Sequence, residues 1–259
     1  MKKLLTIALA VLILITSSSS LAAIKNQEET GYQKENAERY IQYAKKNTSL
    51  SMQDIIVRVN LKLDEGNYTN IQHMENPSSL SVFVSKHYAL KKDYKPENLV
   101  SVSSKYAQSG VKLRNDCYEA FLKMAQAGEK EGLTFYIKSG YRTNRKRGGA
   151  NSLWYAWPGH SEHQTGLAFD LRKKGVTYKT LGEYKYHKTS EYKWLCENAY
   201  EYGFILSYPD GYSGITGFGF EPWHWRYVGV ETATEMKKLG IKTYHEYWAK
   251  YIYDWKEVV

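Results

Sequence analysis

Cysteine is nearly absent: Cys117 and Cys196 are the only two in 259 residues. That excludes a scaffold held by many disulfides. Neither thiol has a second ligand at zinc spacing, so a cysteine metal site is excluded as well. Two readings stay open for the pair. They form one disulfide in an exported chain, or they are buried free thiols, since each lies in an apolar, helix-like stretch. Long apolar runs are equally scarce. Leu4 to Thr16 follows a basic Met1-Lys2-Lys3 start and precedes the small, polar Ser17 to Ala23. This is the layout of a secretory signal over residues 1–23, cut after Ala22 or Ala23. The run is short for a bilayer span, so membrane attachment is expected only if the segment stays uncleaved. No cysteine follows it, which excludes a lipid anchor at that position. The chain is therefore expected to be exported, and to act extracellularly or at the cell wall or membrane.

Acidic charge is in deficit. Lys and Arg number 36 against 27 Asp and Glu, a formal net charge of +9. Losing Lys2 and Lys3 with the leader lowers this to about +7, which still favours anionic surfaces. Outside a bacterial membrane those are wall polymers or lipid headgroups, and anionic wall polymers stay open as partners. No nucleic-acid module is visible, so no nucleic acid is expected. Internal repeats and low-complexity tracts are missing too. What is abundant is tyrosine, 24 residues, with 7 tryptophans. Such rings suit sugar or peptide grooves, and they also fill cores.

The polar stretch over residues 24–50 reads as a spacer. A helix is predicted over Ser51 to Asp64, with Ser51 as its cap. Short strands are expected at Val82 to Ser85 and Leu99 to Val102. Val111 to Glu129 is the strongest helix, with Leu113, Cys117, Ala120, Phe121, Met124 and Ala125 on one face. Strands follow at Leu133 to Lys138, Leu167 to Leu171, Phe204 to Tyr208 and Trp223 to Val228. A helix over Ser190 to Tyr202 ends at Gly203, and helices over Glu231 to Leu239 and Tyr244 to Trp255 close the chain. This mixture predicts one α+β domain over residues 51–259.

Chemistry concentrates in two short stretches, "GHSEHQTGLAFDL" from Gly159 and "EPWHWRYVG" from Glu221. His163 and Asp170 stand seven apart, with Asp170 on a strand. Glu221 precedes His224 by three at the start of another. Two histidines and one carboxylate form a common set for catalytic zinc, leaving the fourth tetrahedral position open. Glu221 is then the group beside the water, able to take its proton. The other histidines, His73, His87, His187 and His245, have no such company, and His160 falls in loop.

"SEHQTGLAFD" fits Ser-x-His-x-x-Gly-x-Ala-x-Asp through Ser161, His163, Gly166, Ala168 and Asp170. With "EPWHWRYVG" it resembles the VanY-type zinc D-alanyl-D-alanine carboxypeptidases, peptidoglycan peptidases that share a fold with hedgehog domains. "SGYRT" at Ser139 to Thr143, "ITGFGFEPWH" at Ile215 to His224 and "VSKHYALKKDYKPENLV" at Val84 to Val100 add to the resemblance. It implies a small antiparallel sheet flanked by helices. It also implies zinc on His163, Asp170 and His224, with Glu221 as general base and later acid. Arg142 matches the family's substrate arginine, whose fork suits a C-terminal carboxylate. Ser161 is placed to add a hydrogen bond to that carboxylate, and Trp223 is expected to face the groove while Trp225 faces the core. Two positions depart from the family: Arg147 where glutamine is frequent, and Ser207 where arginine often precedes Tyr-Pro. The first puts substrate preference in question. The implied reaction is hydrolysis of the terminal D-Ala from peptidoglycan stem peptides. L,D-carboxypeptidase and cross-link endopeptidase activity share the same ligands and stay open. So does a non-catalytic role in wall binding, although pure binding needs no Glu221.

Overall fold

Ser51 does cap a helix: its Oγ accepts the Asp54 amide at 3.1 Å. That helix belongs to the smaller of two units in the computed structural model, which describes residues 30–143, 148–175 and 183–253. The leader expected over residues 1–23 lies outside these residues, as does Arg147.

In the smaller unit, α1 (Ala37–Lys46) and α2 (Met52–Asn60) pack around buried Tyr40, Ile55, Ile56 and Val59. The stretch read as a polar spacer is thus folded from Thr30 onward. Its many charges conceal Tyr40, Ile41, Tyr43 and Ala44, which share one helical face and bury against α2. The unit ends at Gly66 and regains residues from Ala249, so the compact boundary does not fall at Ser51. Asn60 is fully buried at its centre. Its amide donates to the carbonyls of Gly31 and Ala249 at 2.8 and 3.0 Å, and its Oδ1 accepts from Tyr40 Oη at 2.7 Å and Asn36 Nδ2 at 3.2 Å.

The larger unit carries a four-stranded antiparallel sheet. Its strands are β5 (Tyr136–Ser139), β6 (Ala168–Arg172), β7 (Phe204–Leu206) and β8 (His224–Tyr227), in the order β5-β6-β8-β7. Helix α3 (Asn115–Lys130) buries Cys117, Phe121 and Met124 in the same core as Phe169, Leu171 and Trp225. This is the α+β arrangement expected. Two smaller pairs stand apart from the sheet: β1 (Gln72–His73) with β2 (Tyr88–Ala89), and β3 (Leu99–Ser101) with β4 (Lys112–Arg114). Pairing with β3 is why α3 starts at Asn115 and not at Val111. Val82 to Ser85 is buried but forms no strand. The carbonyls of Leu80 and Val82 accept from Arg226 Nη2 at 3.1 and 3.0 Å, so a side chain takes the place of a neighbouring strand there. The helix over Ser190–Asn198 tightens to a 3₁₀ turn at Ala199–Tyr202, and Gly203 ends it at φ 84° as expected. Cys117 and Cys196 are both free, the first buried and the second exposed, which rules out the disulfide. No helix among the described residues is long and apolar enough to cross a membrane.

Candidate metal centre

Asp170 lies on β6 directly opposite His224 on β8. Directly opposed residues on an antiparallel pair project to the same face, about 5 Å apart at Cβ. Strand register alone therefore brings these two side chains together across 54 residues of sequence. His163 arrives from a 3₁₀ turn, Glu162–Thr165, just ahead of β6. Gly166 ends that turn at φ 73°, where a Cβ would also sit 3.0 Å from Arg114 Cγ. Only glycine allows so short a passage from turn to strand. The spacing of the "HQTGLAFD" stretch is thus a geometric requirement.

The three side chains converge. His163 Nε2 is 3.1 Å from Asp170 Oδ2, and His224 Nδ1 is 3.0 Å from Asp170 Oδ1. One ligand atom from each lies within 4.8 Å of the others. Donors on a tetrahedral zinc with bonds near 2.0–2.1 Å stand about 3.3 Å apart. The remaining ring nitrogens are tied elsewhere. His163 Nδ1 faces the Gly140 carbonyl at 2.8 Å, and His224 Nε2 faces Glu162 Oε2 at 2.9 Å. Such ties fix each ring and leave its other nitrogen facing Asp170, where the three would hold a metal ion. A Cβ on Gly140 would come within 2.4 Å of the Lys112 carbonyl, so this support requires glycine too. The donor set and its supports fit Zn²⁺.

The protonation pattern points the same way. Burial works to lower the His224 value, but hydrogen bonds to Asp170 and Glu162 outweigh it and raise it to about 10. Burial lowers His163 below its ordinary value despite Asp170. Burial would raise Asp170, yet His163 and His224 hold it well below the usual carboxylate range. A proton on His224 thus occupies the position that a cation would take.

Glu221 Oε2 lies 3.7 Å from His224 Nδ1, beside the cluster and not within it. It lines a cavity of about 330 Å³ together with Arg142, Ser161, His163 and His224. Arg142 Nε donates to Ser139 Oγ at 3.3 Å, which links the guanidinium to the end of β5. Five of the seven site residues read from sequence therefore line one cavity, and Asp170 joins them through its contacts with His163 and His224.

Trp223 does not. It packs into the core with Trp225 and is absent from the cavity lining. The strand begins only at His224, so Trp223 sits in the turn ahead of it, and its ring is buried in the core like that of Trp225. The cavity's aromatic walls are instead Tyr208, Phe218, Trp154 and Tyr155. Tyr208 stacks at a tilt 4.9 Å from His224, while Trp154 and Tyr155 remain 46% and 49% exposed at the rim. Two adjacent aromatics amid the Gly, Asn and Ser of residues 148–158 were the available signal.

Comparison with known proteins agrees with this geometry. The family model for VanY, D-alanyl-D-alanine carboxypeptidase, matches residues 110–230. YodJ of Bacillus subtilis (strain 168), assigned as a carboxypeptidase, is 33% identical over 198 residues, covering 70% of this chain and 71% of that protein. The solved structure of the LdcB LD-carboxypeptidase is similar at TM-score 0.62 and 32% identity, covering 70% of this chain and 91% of that one. A vancomycin-resistance D,D-pentapeptidase, VanY from a VanB-type resistance cassette, solved with Zn(II), is similar at TM-score 0.53 and 30% identity. That match covers 66% of this chain and 98% of the other.

Proposed function

The chain belongs to the VanY family of D-alanyl-D-alanine carboxypeptidases, and from that premise we propose that it removes the terminal D-Ala from peptidoglycan stem peptides. The observation that carries this reading is the placement of Glu221 beside the His163, Asp170 and His224 cluster, on a cavity that also holds Arg142. A group that only binds needs no such base.

His163, Asp170 and His224 would hold Zn²⁺. Once bound, the ion supplies Lewis-acid polarisation of the scissile carbonyl and acidifies water, worth several kcal/mol of transition-state stabilisation. Arg142 grips the C-terminal carboxylate of the peptide through its fork of donors, and Ser161 adds a hydrogen bond. Those contacts fix which amide sits over the cluster. Glu221 takes a proton from the attacking water. As the C–N bond breaks, the same carboxyl delivers the proton to the departing D-Ala amine, so the proton count closes. Tyr208 and Phe218 keep the cavity wall apolar, which strengthens each charged contact.

The likeness to the LdcB LD-carboxypeptidase favours a second reading, in which the tetrapeptide is the substrate. Incubation with purified pentapeptide and tetrapeptide stems, followed by mass spectrometry, separates the two. The expected result is loss of one alanine from the pentapeptide, abolished by a chelator. Loss from the tetrapeptide alone would establish L,D specificity. No cleavage of either with zinc supplied would refute the hydrolase reading.

The basic start and apolar run at residues 1–16 support action outside the cytoplasmic membrane. The net charge of +9 supports attraction to anionic wall polymers. Retention on isolated walls that declines with added salt would bear out the second point.

A further inference from the structure

One buried acid near the centre is used neither as a ligand nor as the base. Glu162 is 2% exposed, and a carboxylate so enclosed needs partners. The Arg226 guanidinium is fully buried beside it, but its Nη1 stands 3.5 Å from Glu162 Oε1 and has no hydrogen-bond partner. The other Arg226 nitrogens serve backbone carbonyls of Leu80, Val82 and Tyr227. This pair is therefore not the contact around which the site is shaped. The short bonds converge on the other oxygen. Oε2 accepts from Ser207 Oγ at 2.6 Å and from His224 Nε2 at 2.9 Å.

We infer that Glu162 is a positioning residue for the metal centre, selecting the His224 tautomer and ring angle that present Nδ1 to the ion. A neutral imidazole has one N–H and one lone pair. With the N–H on Nε2, given to Glu162, the lone pair on Nδ1 faces Asp170 and His163. With the N–H on Nδ1, the ring would aim a proton at the place where the ion binds. Ser207 fixes the carboxylate that makes the choice. Arg226 supplies countercharge without competing for Oε2. A neutral hydroxyl thus holds Glu162 while Arg226 provides the positive charge.

This inference rests on the metal-centre reading, and the test keeps the two apart. Zinc affinity of the full chain is measured by competition with a chromophoric chelator at one fixed pH. Metal-free samples are melted in parallel to establish that each variant is folded. Glu162→Gln keeps an acceptor for Nε2–H and loses the charge, so its zinc affinity should fall about tenfold; Glu162→Leu loses both, and affinity should fall towards 100-fold. The cobalt-substituted protein should show an altered visible spectrum in the same order. Partial rescue by glutamine over leucine is a result that general destabilisation does not produce. Because Glu162→Leu strands Arg226 and can prevent folding, a second measurement uses the unaltered protein. Long-range ¹H–¹⁵N correlation of the zinc-loaded chain should place the His224 proton on Nε2. A proton on Nδ1, or zinc affinity within twofold of the parent in a folded Glu162→Leu protein, overturns the assignment. If His163→Ala leaves zinc affinity unchanged, the metal centre itself is refuted and the role of Glu162 falls with it.

Discussion

Asn60 and Asp170 each sit in a packed polar cluster, and the two clusters are completed in opposite ways. Around Asn60 every direct partner is neutral, with two hydrogen bonds donated and two accepted. The cluster needs nothing further, and it ties the turn at Gly31 and the start of the C-terminal segment to α2. Around Asp170, acceptors face one another. Two imidazole nitrogens point at one carboxylate, and the arrangement closes only with a proton or a cation. A polar cluster that serves the fold satisfies its own valences. One that serves chemistry leaves convergent lone pairs and relies on neighbours to aim them.

The sharpest break of this contrast comes from the base. Glu221→Ala should retain zinc while kcat falls by about 10²–10⁴-fold, and His224→Ala should lose both zinc and activity. Chelator competition alongside a stem-peptide assay checks the pair, and near-normal turnover in Glu221→Ala would remove that residue from its role. Next in size is the closed cluster. Asn60→Ala leaves Tyr40, Asn36 and two carbonyls short of partners, and should cost about 2–4 kcal/mol of stability in urea unfolding. Zinc affinity of the folded protein should not change; an equal loss there would mean that the two clusters are not independent.

The smallest step, taken per pH unit, concerns protons. His224 rises from 6.5 to about 10 in the metal-free protein. A raised histidine contributes stability that is fully present below its unfolded value near 6.5 and is lost as pH climbs through 10. Between about pH 6.5 and 9 the ion must displace that proton, so zinc affinity should increase about tenfold per pH unit, or about 1.4 kcal/mol. Calorimetry in buffers of different ionisation enthalpy would count the released proton. A flat affinity across this range would show that His224 is already deprotonated. The Asn60 cluster contains no group that titrates there, and its contribution should stay constant.

Much of this was legible in the sequence. Gly166 and Asp170 announced a turn entering a strand, and Glu221 and His224 stood in register at the start of another. What the sequence could not display was pairing across long separations. The meaning of Glu162 depends on His224, 62 residues away, and on Ser207. The β3–β4 pair that trims α3 is another such case. Residues 34–46 illustrate a different blindness, because their charged surface outweighs the few apolar positions that pack on α2. Trp223 was misplaced because the strand starts one residue later than the pattern suggests, leaving Trp223 in a turn that packs its ring into the core.

The opposition of Asp170 and His224 has a consequence for how such a protein can diverge. A single inserted residue in β6 or β8 would turn one ligand to the far side of the sheet and abolish the centre at a stroke. The cavity walls belong to connecting segments around residues 148–158 and 207–221, where length and composition tolerate change. Descendants of this chain can therefore remodel which peptide they accept while the hydrolytic core stays locked by backbone pairing.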